Sequence, residues 1–480
     1  MKTLRMYIDG KWKDSVNQKH IEVRDPSTGT ITSTIPRGDA EDVDTTVMAA
    51  KRAFESGLWR SVKPHERGNL LYQIAAKIKE DRDELAQLET MDVGKPLTQG
   101  YADIDAAIRY FEFYAGAADK VMGDTIPIED GLIDYVVREP VGVTAHIVPW
   151  NYPIQILSRS VAAAIAMGNT VVVKSAEDTP NTANKIAEYV DQLDIPSGVF
   201  NHITGYGHEA GASLAAHPYV NHVTFTGSVK TGISVGQAAT ANVVPVTLEL
   251  GGKSPNIVFS DCDIDKTVDG VVKAIIQNTG QTCSAGSRLL VEESFKETFL
   301  QKIVDRFKEL TIGPGKGNYD VGPILNEQQF NRIMAYLELA KTEGTVLTGG
   351  SRVHIDHCEG AFYIEPTIID QLSSDSKLAQ EEIFGPVLTV FTFKDEEEAL
   401  SLANSTEYGL VTGIWTQDIS RAHYLASRIH SGQVFINNYG AGGGIQMPFG
   451  GYKKSGFGRE KGWIALYNYT QVKNVAIRYG

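Results

Sequence analysis

Cysteine is scarce in this chain: three in 480 residues, Cys262, Cys283 and Cys358, with no close pair among them. That spacing excludes a disulfide framework and a cysteine-based zinc site, and it fits a reducing compartment. The eleven histidines show no His-Glu-x-x-His or comparable ligand spacing, so no metal is expected. No run approaches the roughly 20 apolar residues of a membrane span, and the opening Met1-Lys2-Thr3-Leu4-Arg5-Met6-Tyr7-Ile8-Asp9 lacks the apolar stretch of a secretory signal. Positive charge is in deficit, with 45 Lys and Arg against 59 Asp and Glu, net −14, which argues against nucleic acid or an anionic membrane as a partner. A cytoplasmic protein is expected, and any phosphate-bearing ligand has to be held locally. Repeats, low-complexity segments and long disordered linkers are also missing.

The chain is longer than the roughly 250–300 residues at which one core stops growing, so two or more domains are expected. Helical and strand patterns alternate with short Gly/Pro/Asn punctuation, which predicts an α/β architecture with largely parallel sheets. Asp39 is a good N-cap for a helix whose apolar positions Val43, Val47, Ala50 and Phe54 recur at helical spacing. Val171-Val172-Val173 reads as a buried strand ending at Lys174, after an alanine-rich helix around 160–167. Val220 to Phe225 reads as a second strand, and Thr226-Gly227-Ser228 opens another helix. Ligands of such βαβ units collect at the carboxyl ends of the strands. Ile133 to Glu139 and Val472 to Arg478 alternate apolar and polar residues, as half-exposed strands do.

Three segments carry chemistry. Gly280-Gln281-Thr282-Cys283-Ser284-Ala285-Gly286 puts a thiol in a small, polar, glycine-flanked setting. Leu248-Glu249-Leu250-Gly251-Gly252-Lys253-Ser254-Pro255 offers a carboxylate, and Pro149-Trp150-Asn151-Tyr152-Pro153 a side-chain amide. A soft nucleophile, a carboxylate and an amide donor are the components of thioester chemistry. Cys262 lies between Asp261 and Asp263, whose charge opposes thiolate formation, and Cys358 follows His357 in a polar, loop-like stretch. Neither is expected to react. Gly205-Tyr206-Gly207-His208-Glu209-Ala210-Gly211 misses the G-x-G-x-x-G dinucleotide spacing by one residue and fits a tight strand-to-helix turn equally well. Gly251 and Gly252 read as letting the chain turn sharply after Glu249.

Together with Phe225-Thr226-Gly227-Ser228, Glu381-Glu382-Ile383-Phe384-Gly385-Pro386 and Pro448-Phe449-Gly450-Gly451, these segments resemble the aldehyde dehydrogenase superfamily, in its order and spacing, from Tyr7-Ile8-Asp9-Gly10 to Tyr469-Thr470-Gln471-Val472-Lys473. The resemblance implies a Rossmann-type NAD-binding domain over 1–120 and 141–248, an α/β catalytic domain over 249–455, and a small β oligomerisation arm over 121–140 and 456–480. A homodimer or homotetramer follows from the arm; two edge strands on the monomer's own sheet are the alternative.

Residue by residue, the resemblance implies that Cys283 adds to the aldehyde carbon and that the Asn151 amide and the Cys283 backbone N–H hold the oxyanion. Hydride then leaves to the nicotinamide, and Glu249 activates the water that clears the thioester. A water-activating carboxylate favours hydrolysis to the free acid over acyl transfer to coenzyme A. Trp150, Lys174, Glu177, Gly227, Ser228, Glu382 and Phe384 match cofactor positions. A carboxylate at Glu177 accepts from ribose hydroxyls and repels a 2′-phosphate, so NAD is favoured and NADP is possible but less so. For Lys174 and Glu177 a plain i,i+3 ion pair is the competing reading.

Ile156, Arg159, Thr282, Ser284, Gly443 and Phe449 match the substrate side. Arg159 stands where many relatives carry an aromatic residue. Facing inward, it would pair with a substrate carboxylate, as in relatives that oxidise succinate semialdehyde; alternatively a neighbouring acid satisfies it. Gln277 stands where some of those relatives carry a second arginine. The missing aromatic weakens the case for a quaternary-ammonium aldehyde. The loop Tyr439-Gly440-Ala441-Gly442-Gly443-Gly444 implies a roomy entrance suited to bulkier aldehydes. Arg159 and this loop point to different substrates.

Overall fold

The computed structural model describes residues 2–440 and 444–479; Gly443, expected at the substrate entrance, lies outside them. Two large sheets dominate. The first has eight strands in the order Gly456–Phe457, Val246–Glu249, His222–Thr226, Val143–Ile147, Thr170–Lys174, Phe200–Ile203, Met6–Ile8, Lys11–Lys13. The five from Val246–Glu249 to Phe200–Ile203 run parallel, and the outer strands are antiparallel. Parallel strands covered by helices on both faces are apolar throughout, and Val143–Ile147, Thr170–Lys174 and His222–Thr226 are buried at every position.

Strand order fixes where a ligand can sit. From Val143–Ile147 the chain builds outward one way through Thr170–Lys174 and Phe200–Ile203. It then returns to add His222–Thr226 and Val246–Glu249 on the other side. The crevice at such a reversal, beyond the carboxyl ends of the strands, is the binding position of open α/β sheets. Residues 148–151 and 226–228 lie there.

The second sheet has seven strands in the order Thr345–Thr348, Thr367–Asp370, Val387–Phe393, Arg288–Glu292, Pro255–Val258, Val411–Trp415, Gln433–Ile436, parallel except at Thr345–Thr348. Only residues 250–254 separate the last parallel strand of the first sheet from Pro255–Val258 of the second. The segment after Glu249 is therefore the junction between the two.

The helix predicted after Asp39 spans Ala40–Glu55. Asp39 accepts from the Glu41 amide, and Asp42 returns a bond to the Asp39 amide. Val43, Val47 and Ala50 are fully buried, each branched side chain contributing roughly 1.5–3 kcal/mol of burial. The alanine-rich helix starts earlier than the alanine pattern alone indicates: it spans Pro153–Ala166, with Pro153 in the first turn where its missing N–H costs nothing. Ile156 and Arg159 are thus helical residues. The second predicted strand begins two residues late, at His222.

Leu132–Pro140 and Thr470–Arg478 pair antiparallel along their full lengths and, with Asp124–Ile126, make a separate three-stranded sheet. Gly456–Phe457, expected within the arm, instead join the first sheet, with Gly456 opposite Glu249. That pairing turns residues 458–462 back over the junction. No helix among the described residues is long and apolar enough to cross a membrane.

Candidate active site

One cleft occupies the reversal point and the junction together. Trp150 and Asn151 enter it from the end of Val143–Ile147, Gly227 and Ser228 from the end of His222–Thr226, and Glu249 from the next strand. Cys283, Glu382 and Phe384 enter from the second sheet's side. Gly251, Thr226, Gln329 and Arg332 complete its wall.

Close approach, and not a sharp turn, explains the two glycines after Glu249. Neither has a positive φ. A Cβ on Gly251 would stand 2.3 Å from a Glu382 carboxylate oxygen, and one on Gly252 would stand 2.5 Å from the Cys283 carbonyl. The Gly252 N–H donates to Glu382 Oε1 at 2.9 Å. Any side chain at either position would push Glu382 or the loop around Cys283 out of place.

Asn151 is tied at both ends. Its Nδ2 donates to the Gln281 carbonyl at 3.0 Å, while its own carbonyl accepts from Lys95 Nζ at 2.9 Å and Asn278 Nδ2 at 3.1 Å. Lys95 is fully buried and balanced by Asp103 and Glu89. Asn278 and Thr279 adopt left-handed backbone just before Cys283, with φ of 47° and 58°, a strained conformation of the kind that collects at functional sites. A side-chain amide in this setting is fixed against rotation, as an oxyanion donor requires; one such donor stabilises a transition state by about 3–4 kcal/mol.

Burial pushes the Cys283 thiol up to about 12, with Arg159 opposing and Glu382 and Glu249 reinforcing the rise. Glu249 is 1% exposed, and both of its carboxylate oxygens lack a hydrogen-bond partner among the described residues. Burial and then Glu460 hold its carboxyl well above the usual range against the pull of Arg159. A carboxylate with raised proton affinity is a stronger base once ionised. Cys262 and Cys358 are both buried, and burial leads the rise of the Cys262 thiol, ahead of its aspartate neighbours. Cys358 packs against Ala361 and Tyr363, so its surroundings are less polar than its sequence neighbours imply.

Among the residues matched to cofactor positions, Trp150 and Phe384 meet edge-on across the cleft at 5.4 Å and 85°. Ser228 caps the helix Val229–Thr240, accepting from the Thr231 amide, and turns that N-terminus toward the opening. Lys174 and Glu177 form an ion pair at 2.8 Å at the end of the adjacent strand, and Glu177 also accepts from the Gly207 N–H at 3.4 Å. Burial opposes, but Lys174 overcomes it and holds the Glu177 carboxyl below its ordinary value.

Among the residues matched to substrate positions, the Thr282 and Ser284 hydroxyls lie 3.3 Å apart on either flank of Cys283. Phe449 packs with Leu410, Val411 and Cys283. Ile156 is buried in the helical core beside Tyr152. Arg159 is ion-paired with Glu460, bonds the Thr226 hydroxyl at 3.2 Å, and lies 5.3 Å above the Phe449 ring. Its charge is already matched by a neighbouring acid. Glu460 itself gave no signal in the sequence, standing in the charged run Arg459-Glu460-Lys461 that resembles a solvated segment; the pairing of Gly456 with Glu249 brings it inside.

Replacing Arg159 with Met would leave Glu460 buried without its partner. The expected cost is about 3–5 kcal/mol in urea unfolding; an arginine that merely faced the substrate would leave stability unchanged.

The aldehyde dehydrogenase family model matches residues 12–475. The betaine aldehyde dehydrogenase of Bacillus subtilis is 41% identical, over 98% of this chain and 96% of its own length. The hydroxyisobutyraldehyde dehydrogenase of Mycolicibacterium austroafricanum is 42% identical, over 98% and 93%. The NAD+ complex of an aldehyde dehydrogenase from Bacillus cereus superposes with a TM-score of 0.97 at 39% identity, covering 100% of this chain and 97% of that one. With a cleft of this composition and a match over nearly its whole length, the chain belongs to the aldehyde dehydrogenase family.

Proposed function

We propose that this chain oxidises an aldehyde to its carboxylic acid with NAD, through a thioester on Cys283 that water hydrolyses. The observation that carries this is the meeting of Cys283, Asn151 and Glu249 in one cleft at the strand ends. The Cys283 thiol gives its proton to water, the resulting thiolate sulfur bonds to the carbonyl carbon, and the C=O π pair moves to the oxygen, which gains negative charge beside the Asn151 amide and the Cys283 N–H. Collapse of that oxyanion restores the C=O bond and expels hydride, leaving the acyl group on sulfur. Glu249 takes a proton from water as it attacks the thioester, releasing the acid and the thiol.

The residues fit a dinucleotide. Trp150 and Phe384 offer flat apolar surface, the Ser228-capped helix end suits a pyrophosphate, and Glu382 and Glu177 offer acceptors for ribose hydroxyls. When bound, the nicotinamide accepts the hydride. Glu177, held as a carboxylate by Lys174, repels a 2′-phosphate, so NAD is preferred to NADP. The exposed apolar residues Ile126, Ile133, Val472 and Ile477 on the small sheet support its assignment as a contact with another copy of the chain.

Incubation with NAD and an aldehyde, without coenzyme A, is expected to yield NADH and free acid in equal amounts. An acyl product formed only when coenzyme A is added would overturn the hydrolytic half and make this an acylating relative.

A further inference from the structure

The two cations beside the nucleophile are not alike. Arg159 is matched by Glu460, whereas Lys461, the next residue, has no carboxylate within ion-pair distance and no hydrogen-bond acceptor among the described residues. The residue is half-buried, and its ammonium sits over two aromatic faces, 5.2 Å from the Phe449 centroid and 6.0 Å from that of Tyr110. Lys461 and Gly462 both take left-handed backbone, φ of 62° and 60°, so the chain accepts strain to aim this side chain inward. The Tyr110 hydroxyl, on the helix Leu97–Ala117 that packs against Pro153–Ala166, is buried without a partner among the described residues.

Position decides what this charge is for. Cys283 packs against the apolar cluster of Leu410, Val411 and Phe449, and neither Phe449 nor Lys461 lines the cofactor cleft. An acyl group on Cys283 that leaves the Trp150–Phe384 end to the cofactor must extend toward Phe449, and so toward Lys461. Burial and Arg159 lower the ammonium to about 8, while Cys283, Glu460 and Glu249 pull the other way without forming a pair. An unpaired cation in such a place is costly, and an arriving anion relieves the cost.

Resting on the aldehyde-oxidising role proposed above, we infer that Lys461, with the Tyr110 hydroxyl, is the anchor for a negatively charged group on the substrate, making acidic aldehydes the preferred class. Arg159, the sequence candidate for this task, serves instead to hold Glu460.

Two pairs of aldehydes of matched shape test this in the full-length enzyme with NAD: succinate semialdehyde against isohexanal, and para-carboxybenzaldehyde against para-isopropylbenzaldehyde. In Lys461→Met the acidic member of at least one pair is expected to lose kcat/KM on the order of 30-fold, as loss of a desolvated charge pair does, while its neutral partner changes less than about threefold. Lys461→Arg should recover most of the loss. Both members falling together overturns the proposal and makes Lys461 a support for the nucleophile; neither falling, or a wild type that prefers the neutral members, overturns it as well. A wild type that turns over none of the four while retaining its fold overturns the underlying oxidation, and the anchor with it.

Discussion

Cys283→Ala is expected to lower turnover by roughly 10⁴- to 10⁶-fold, the scale seen when a covalent nucleophile is removed, while leaving NAD affinity within a few-fold of wild type. The nucleophile loop is held by contacts that do not involve the thiol. Gln281 donates to the Asn278 and Pro323 carbonyls and accepts from the Leu325 amide, and Tyr439 donates to the Ser284 carbonyl. Truncation at Cβ therefore removes the reacting atom without loosening its surroundings. Activity surviving in this variant, measured as NADH formation, would remove Cys283 from the chemistry.

The same thiol predicts a pH response. Burial holds it up near 12 in the free enzyme, so at neutral pH almost all of it is protonated, and the reactive fraction grows about tenfold per pH unit until that value is approached. Alkylation of the free enzyme by iodoacetamide should rise along that slope between about pH 7 and 9 and vanish in Cys283→Ala, since Cys262 and Cys358 are buried. A flat profile would mean that the thiolate is already formed at rest.

The parts of this architecture governed by local patterns were legible in the sequence. The Asp39 cap, the Val171–Val173 strand and the Thr226-Gly227-Ser228 turn depend on residues near one another in the chain, and each formed where its pattern stands. Cys283, Glu249 and Asn151 were singled out through short motifs, and the fold brings the three into one cleft. What could not be read was long-range pairing. Glu460 and Lys461 lie in a run whose charge suggests solvent, and the pairings of Gly456 with Glu249 and of Glu460 with Phe449 turn them inward. Lys95 is silent for the same reason: a buried lysine is recognisable only once Glu89, Asp103 and the Asn151 carbonyl surround it. The alternatives left open for Arg159 likewise turned on a partner some 300 residues away in the chain, beyond the reach of any local period.

Glu249→Gln separates the two halves of the reaction. Glutamine keeps the volume and the buried position but takes up no proton, so acylation should proceed while water attack loses roughly 10²- to 10⁴-fold. Stopped-flow NADH measurements are then expected to show a burst of about one equivalent per active site followed by a slow steady state, and mass spectrometry should find the acyl group on Cys283. Stability supplies a control. The folded-state carboxyl of Glu249 is raised above its unfolded value of about 4.3, so what its protonated form contributes is fully present below that value and is lost as pH rises through the folded one. Glutamine has no such loss, and the variant's unfolding free energy relative to wild type should climb with pH over that window. A variant that is stable by this measure yet shows no burst would put Glu249 in the first half of the reaction, as the base that draws the proton from Cys283, because a folded site with an intact nucleophile would then fail before the thioester forms.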